Sequence, residues 1–325
     1  MDHRITRRGL GALAAGALAA PAIAQETAWP SRAVRIVVPF GAGGSADIAA
    51  RNVAEALSQG LGQPFVVENR PGAGASIGTD AVAKAAPDGY TILMMSNTHT
   101  ANETLLPNRP YVLMRDLAAA AAVNVAHHVL AVHPSLGVNS VAELIAKAKA
   151  SPGTIDYASS GPGTPYHIAG EVFRAMAGIE IQHIPFRSSG EARTALISGQ
   201  VPMMFDAIPT MEPHVAGGRA KALATTGAQR DPLLPNLPTV AEAGLPGYEA
   251  SIWLGLMAPA QMPKPIVEKL NAAVNDWLGK PATRAAMAKQ GAQPMPMSVA
   301  EFDAFLRKDV DTQRQYIRMA KIEVN

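Results

Sequence analysis

Runs of β-branched apolar residues alternate with helical spacing along most of the chain. "RAVRIVVPF" reads as a buried strand that ends in a glycine-rich turn. Ser45 to Gln59 follows with alanines at helical spacing and stops at Gly60. "QPFVVENR" predicts a second strand, and "PGAGAS" a second glycine turn leading into a helix over Ile77 to Ala86. "YTILMMSN" predicts a third strand, which ends in the polar loop "SNTHT". Alternation of this kind predicts a mostly parallel sheet with helices on both faces.

A fresh unit begins near "HHVLAVHPSL". Ser140-x-x-Glu143 has the form of a capping box for the helix "VAELIAKAKA", which Ser151-Pro152-Gly153 stops. Strand "IDYASS", the turn "GPGTP" and a helix from Tyr166 to Ala177 come next. Strand "IQHIPF", helix "GEARTALISG" and strands "QVPMMFD" and "AKALATTG" complete a second α/β lobe. The stretch "RDPLLPNLPTVAEAGLPGYEA" is rich in Pro and Gly around a short helix capped by Thr239-x-x-Glu242, and reads as a linker back to the first lobe. "SIWLGLMAP" is a strand, and the C-terminal region is helical, with Ser298-x-x-Glu301 as a third capping box. The expected division is a first lobe of residues 25–126 and 250–325 and a second of 127–249, joined by two crossings.

Composition narrows the field. A chain of 325 residues, 48% apolar and 5% aromatic, can bury two cores. A net charge of +2 and the lack of basic clusters with interleaved aromatics give no case for nucleic acid. The start, "MDHRITRRGLGALAAGALAAPAIAQ", has a basic region, an apolar stretch from Leu10 to Ala20 and a small-x-small site at Ala22-Ile23-Ala24. It reads as an export signal over residues 1–24, of the twin-arginine type through Arg7-Arg8, cleaved near Ala24. Its apolar run is too short to anchor the chain in a bilayer. The expected location is the periplasm, where free NAD and ATP are scarce. The chain has no cysteine, so no disulfide staples it.

Candidate chemistry begins at the first glycine turn. Gly41-x-Gly43-x-x-Ala46 fits a dinucleotide fingerprint, and Glu68 closes a strand about 20 residues beyond the turn, where a ribose-binding acid belongs. No Lys-Ser or Lys-Thr pair follows the glycines, so a Walker phosphate loop is excluded. A nicotinamide-dependent oxidoreductase on a Rossmann lobe is therefore one reading; export and the acidic Asp47 beside the turn argue against it. The other reading sets "PFGAGGSAD" against the matching turn "SSGPGTP" of the second lobe. Each supplies backbone N–H groups at the positive end of a helix, and the two facing each other suit a carboxylate.

Single residues carry two readings each. Ser45 and Thr164 are N-caps or ligand hydroxyls. Asp47 braces its loop or meets the ligand. Asn97 and His99 donate to the ligand or sit in a solvated loop. Phe186 is an apolar wall, Arg187 a carboxylate partner or an exposed cation, and Asp206 a cap of "AIPTMEPH" or a ligand contact. His127, His128 and His133 straddle a strand rather than sharing a helical face, which does not suit a metal site. H-E-x-x-H, G-x-S-x-G and a cysteine nucleophile are all lacking.

With these residues assembled, the chain closely resembles the Bug family, periplasmic receptors associated with tripartite tricarboxylate transport. The likeness runs through "WPSRAVRIVVPFGAGGSADIAAR", "VENRPGAGASIGTDAVAKAAPDGYT", "YASSGPGTPYHIAGEVF", "GQVPMMFDAIPTMEPHVAGGRAKALA" and "LPTVAEAGLPGYEASIWLGLMAPA". It covers essentially the whole chain after the signal. The resemblance implies an α/β, two-lobed type II periplasmic-binding-protein fold and a non-enzymatic monomer without cofactor or metal. It also implies a small organic carboxylate as ligand and delivery to membrane permease subunits; a ligand sensor for a membrane signalling protein would use the same cleft. It places Phe40, Gly41, Ala42, Gly43, Gly44, Ser45 and Asp47 at the site, flanked by Ser96, Asn97 and His99. The second lobe would add Ser160, Gly163, Thr164, Phe186, Arg187 and Asp206. The chain departs from the family at Phe186, where tyrosine is frequent, and at Ser188 and Ser189, where glycines are. A further departure is Tyr111-Val112-Leu113, where Tyr-Asp-Pro is frequent.

Overall fold

The computed structural model describes residues 29–323, so the export signal expected over 1–24 lies outside the described residues. Among the described residues no helix is long and apolar enough to cross a membrane.

The first lobe opens with β1 (Val34–Val38), α1 (Ser45–Leu61), β2 (Phe65–Asn69), α2 (Ser76–Ala83) and β3 (Thr91–Ser96). In β1 the strand period of two sends Val34, Ile36 and Val38 into one core and Val37 into the other. Helix α1 buries Ala46, Ala49, Ala50, Val53, Ala54 and Leu57, a stripe at helical spacing. The alanines let α1 lie close on the sheet, while burying Val53 and Leu57 contributes about 1.5–3 kcal/mol each. The helix runs through Gly60 and ends at Gly62, whose φ of 73° makes the left-handed cap and whose N–H reaches the Ser58 carbonyl. Helix α2 stops at Ala83, three residues short of the expected end.

The stretch expected as a polar loop after β3 is instead helix α3 (Asn97–Leu105), entered through a capping box in which His99 bonds back to the Ser96 amide. The short α4 (Leu113–Asp116) leads to β4 (Leu117–Val132), a strand of 16 residues. Then come α5 (Val141–Ala150), β5 (Ile155–Ser159), α6 (Pro165–Ala177), β6 (Ile181–Pro185), α7 (Ser189–Ile197), β7 (Met203–Ala207), α8 (Ile208–Ala216) and β8 (Lys221–Thr225). The chain returns through β9 (Ser251–Pro259), α9 (Lys264–Gly279), α10 (Pro281–Lys289), β10 (Ala292–Pro294) and α11 (Val299–Ala320).

Two sheets share β4. Up to His127 it pairs with β9 and β10, completing the order β2-β1-β3-β9-β4-β10; from His128 it pairs with β7 and β8 in the order β8-β4-β7-β5-β6. Pairing is parallel at β1, β2 and β3 and again at β5, β6 and β7, but antiparallel wherever β4 or β9 takes part. Each sheet is therefore mixed rather than mostly parallel, because strands that leave one lobe and return to it must run against their neighbours. Helix α11 adds a further link: Phe302 and Leu306 pack in the first lobe, and Ile317 and Ala320 in the second. At Thr239 and Glu242 the reciprocal hydrogen bonds of a capping box form, yet only turns follow, so the expected short helix is not there. Gly244 and Pro246 leave no room to propagate one.

Candidate functional site

Strand β1 ends at the first glycine turn because Gly43 takes a φ of 77°, a left-handed conformation that glycine adopts without strain. Its N–H donates to Asp47 Oδ2 at 3.0 Å. Asp47 is buried and also accepts from Arg51 through two nitrogens, at 3.1 and 3.0 Å, and from Asn69 Nδ2 at 3.0 Å. Burial pushes its carboxyl up, but the bonds from Arg51, Gly43 and Asn69 outweigh that and hold it below the usual range. Its charge is thus used inside the loop, and Asp47 fixes the turn on which α1 starts.

The turn faces the second lobe across a cavity lined by Gly44 and Ser45 of α1, Ser96 at the cap of α3, Thr164 and Tyr166 at the start of α6, and Ser188 and Ser189 at the start of α7. Four helix N-termini therefore meet at one place. The first amides of α1 (Ser45, Ala46), α6 (Tyr166, His167) and α7 (Ser189, Gly190) have no acceptor within their own helices. Arg187 is the one charged residue in the lining, and no carboxylate is part of it. Positive helix ends and a guanidinium without opposing acid make the cavity attractive to an anion.

The two lobes touch here. A Cβ on Gly41 would fall 2.7 Å from Ser188 Cβ, and one on Gly44 would fall 3.0 Å from Ser189 Oγ. Ser45 Oγ and Tyr166 Oη share a hydrogen bond of 3.0 Å between the lobes. The Tyr166 ring is itself buried in the core of the first lobe. The space open to the centre of a water molecule is about 30 Å³ in this central cavity. It continues outward into a trough of about 380 Å³ flanked by Phe40, Phe186, Arg187 and the turns at 71–75 and 160–164.

Of the residues expected at the site, Phe40, Gly41, Gly44, Ser45, Ser96, Ser160, Thr164 and Arg187 line the central cavity. Phe186 lines the trough together with Phe40. Ala42 and Gly43 face solvent, and Asp47 lies behind the turn. Thr164 is the N-cap of α6 by position, but its hydroxyl donates to the Gly161 carbonyl at 2.7 Å rather than accepting from the helix. Gly163 lies beneath that turn, with its N–H on His167 Nδ1.

Asn97 and His99 are buried in α3 rather than solvated. Asn97 Nδ2 holds the Ser251 carbonyl at 2.9 Å, and the His99 nitrogens meet Ser96 and Thr79. His99 instead presents its ring edge-on to Phe40, with centroids 5.9 Å apart, and so steadies the cavity wall. Asp206 is fully buried and paired with Arg193 Nε at 2.7 Å, behind Tyr166; Thr210 donates to it, and it caps no helix amide. Burial pushes its carboxyl up, with Arg193 offsetting part of the effect.

Two contributions escaped the sequence reading. The N-terminus of α7 is signalled by Ser188-x-x-Glu191, in which Ser188 Oγ accepts the Glu191 amide at 3.2 Å. Tyr166 had no local signal, since only tertiary packing turns its ring toward the other lobe. Glu68, which stood where a ribose ligand belongs, pairs with Arg35 at 3.0 Å and Arg70 at 3.5 Å. With Gly43 committed to Asp47 as well, the first turn is not arranged for a dinucleotide.

A family model described as the tripartite tricarboxylate transporter family receptor matches residues 49–322. BugT of Bordetella pertussis is 36% identical over 308 residues, covering 94% of each chain. Among solved structures, an R. palustris protein with adipate superposes with a TM-score of 0.88 at 34% identity, over 91% of this chain and 99% of that one. MatC from Rhodopseudomonas palustris with bound malate gives a TM-score of 0.84 at 31% identity, over 89% and 99%.

Proposed function

The chain belongs to the tripartite tricarboxylate transporter family of receptors, and from that premise we propose that it captures a small organic carboxylate between its lobes for uptake. The observation that carries the reading is the meeting of four helix N-termini, with no opposing carboxylate, in a cavity between the lobes. A space of about 30 Å³ open to water centres takes one carboxylate group, and the rest of the molecule, with ordered waters, lies in the trough. Adipate and malate in the two R. palustris neighbours support this size and charge.

In this reading the protein is exported by the leader at 1–24, works in the periplasm as a single copy, and performs no reaction on its ligand. Closure is a hinge motion about the two crossings, at His127–His128 where β4 passes between the sheets and at Ala250–Ser251 where the chain enters β9. The closed receptor then docks on membrane subunits of a tripartite transporter.

Arg187 gives a test of how the ligand lies. Arg187 lines both the cavity and the trough and makes no ion pair among the described residues. A second carboxylate in the trough would meet it. Calorimetry should show Arg187→Ala weakening adipate about tenfold while leaving hexanoate unchanged, as loss of a charge-assisted bond implies. Equal affinities for both acids in both proteins would refute that placement, and a wild type that bound no small carboxylate would refute the receptor reading itself.

A further inference from the structure

Beneath the second glycine turn lie two imidazoles whose nitrogens hold that turn. His167 is in the first turn of α6, and His183 stands opposite Tyr157 in the β5–β6 register. Their rings stack with centroids 4.1 Å apart and planes 27° apart. Gly163 N–H donates to His167 Nδ1 at 3.0 Å. Gly161 N–H donates to Ser159 Oγ at 3.0 Å, and that hydroxyl shares a 2.6 Å hydrogen bond with His183 Nε2. Ser160 and Thr164, which flank these glycines, line the cavity. The shape of the second jaw therefore rests on two ring nitrogens.

We propose that the stacked pair His167–His183 positions this jaw, and that the turn keeps its binding geometry only while both rings are uncharged. The proposal rests on the receptor reading above. Nδ1 of His167 accepts the Gly163 amide only without a proton; with one, two N–H groups would face each other. Two imidazolium rings in a stack would also repel. The titratable and charged groups that face the pair are Tyr157 of β5 and Glu171 and Arg174 of α6.

None of these supplies a free counter-charge. Glu171 already accepts from Tyr157 Oη at 2.6 Å and Arg174 Nε at 2.8 Å. Arg174 Nη2 in turn reaches the Ala320 carbonyl of α11 at 3.2 Å. In keeping with this, burial and then Arg174 lower the His167 pKa to about 4. Burial and then His167 lower that of His183 to about 3.

The test separates position from mere packing. Asparagine sets an uncharged oxygen where Nδ1 stands, whereas leucine keeps the bulk and removes the acceptor. With adipate as probe at pH 7.5, His167→Leu should bind about tenfold more weakly than wild type and His167→Asn within about twofold, the scale of one hydrogen bond. Between pH 7.5 and pH 4 the wild type should lose about twofold relative to His167→Asn, a ratio in which the titration of adipate cancels. Amide exchange by NMR should show Gly163 deprotected in the leucine variant and protected in the asparagine one.

Wild-type binding together with unchanged Gly163 protection in His167→Leu would overturn the proposal, as would equal losses in both variants. If the wild type bound neither adipate nor any other small acid, the receptor reading would fail. The Gly163 exchange rates would still decide the role of the histidines.

Discussion

Gly41→Val should abolish useful binding, weakening any carboxylate ligand about a hundredfold while leaving the fold intact. The cause is contact between the lobes. A Cβ at position 41 falls 2.7 Å from Ser188 Cβ and 3.4 Å from the Arg187 carbonyl, and neither the short Ser188 side chain nor backbone can yield cheaply. Overpacking of this kind costs about 1–3 kcal/mol, and the whole of it falls on the closed state. Gly41 has no positive φ, so valine brings no comparable strain to either lobe alone. Calorimetry with adipate and a thermal melt check both halves of the expectation: affinity collapses, while the melting temperature of the unliganded protein moves little. Affinity within tenfold of wild type would mean that binding does not need the lobes this close. Gly43 is the contrasting position. Its Cβ would meet nothing within 4 Å, so Gly43→Glu would strain a φ of 77° without filling the cavity.

The second large effect concerns stability in acid. His99, His128 and His167 are buried and uncharged at neutral pH. Burial lowers His99 to about 4, burial and then His127 lower His128 to about 3, and His167 stands at about 4. Unfolded, each ring binds its proton near pH 6.5. Between that value and the folded one, the unfolded chain holds more protons, so stability falls as pH falls and does not change on this account above 6.5. By pH 5 the loss is roughly 2 kcal/mol per ring, or about 6 kcal/mol for the three. Asp206 and Asp309, whose carboxyls burial pushes up, take up protons in the folded state first and offset part of it. Urea unfolding at pH 7.5 and 5.0 checks this. Equal unfolding free energies would show that the rings are neither dry nor neutral as described.

How much was legible in the sequence depended on where each residue finds its partner. The first turn and α1 were readable because glycine, the first-turn Asp47 and the alanine stripe act within a few residues of each other. The stretch "SNTHT" was misread because its polar groups are satisfied far away: Asn97 on Ser251, Thr100 on Asp309 and His99 on Thr79. Local polarity there resembles a solvated loop, and only the fold shows a buried helix. Strand β4 was recognised only from its second half, because the alanines at 118–122 carry little β-propensity and are held by pairing with β9 and by burial.

The site divides in the same way. Backbone features announced themselves as glycines and helix caps, and Ser188-x-x-Glu191 was the same pattern as at Ser140 and Ser298. The roles of Tyr166 and of the two stacked histidines depend on strands and helices brought together by folding. No spacing in the chain could have placed them.

In the proposed receptor, neutral backbone dipoles aided by one arginine hold the anion. The most direct measurement is a calorimetric comparison, at pH 7.5, of the tightest-binding acid from a panel of small aliphatic and aromatic carboxylates with its own primary amide. The acid should bind, and the amide, equal in size but uncharged, should lose at least about a hundredfold. An amide that bound as tightly as its acid would contradict it.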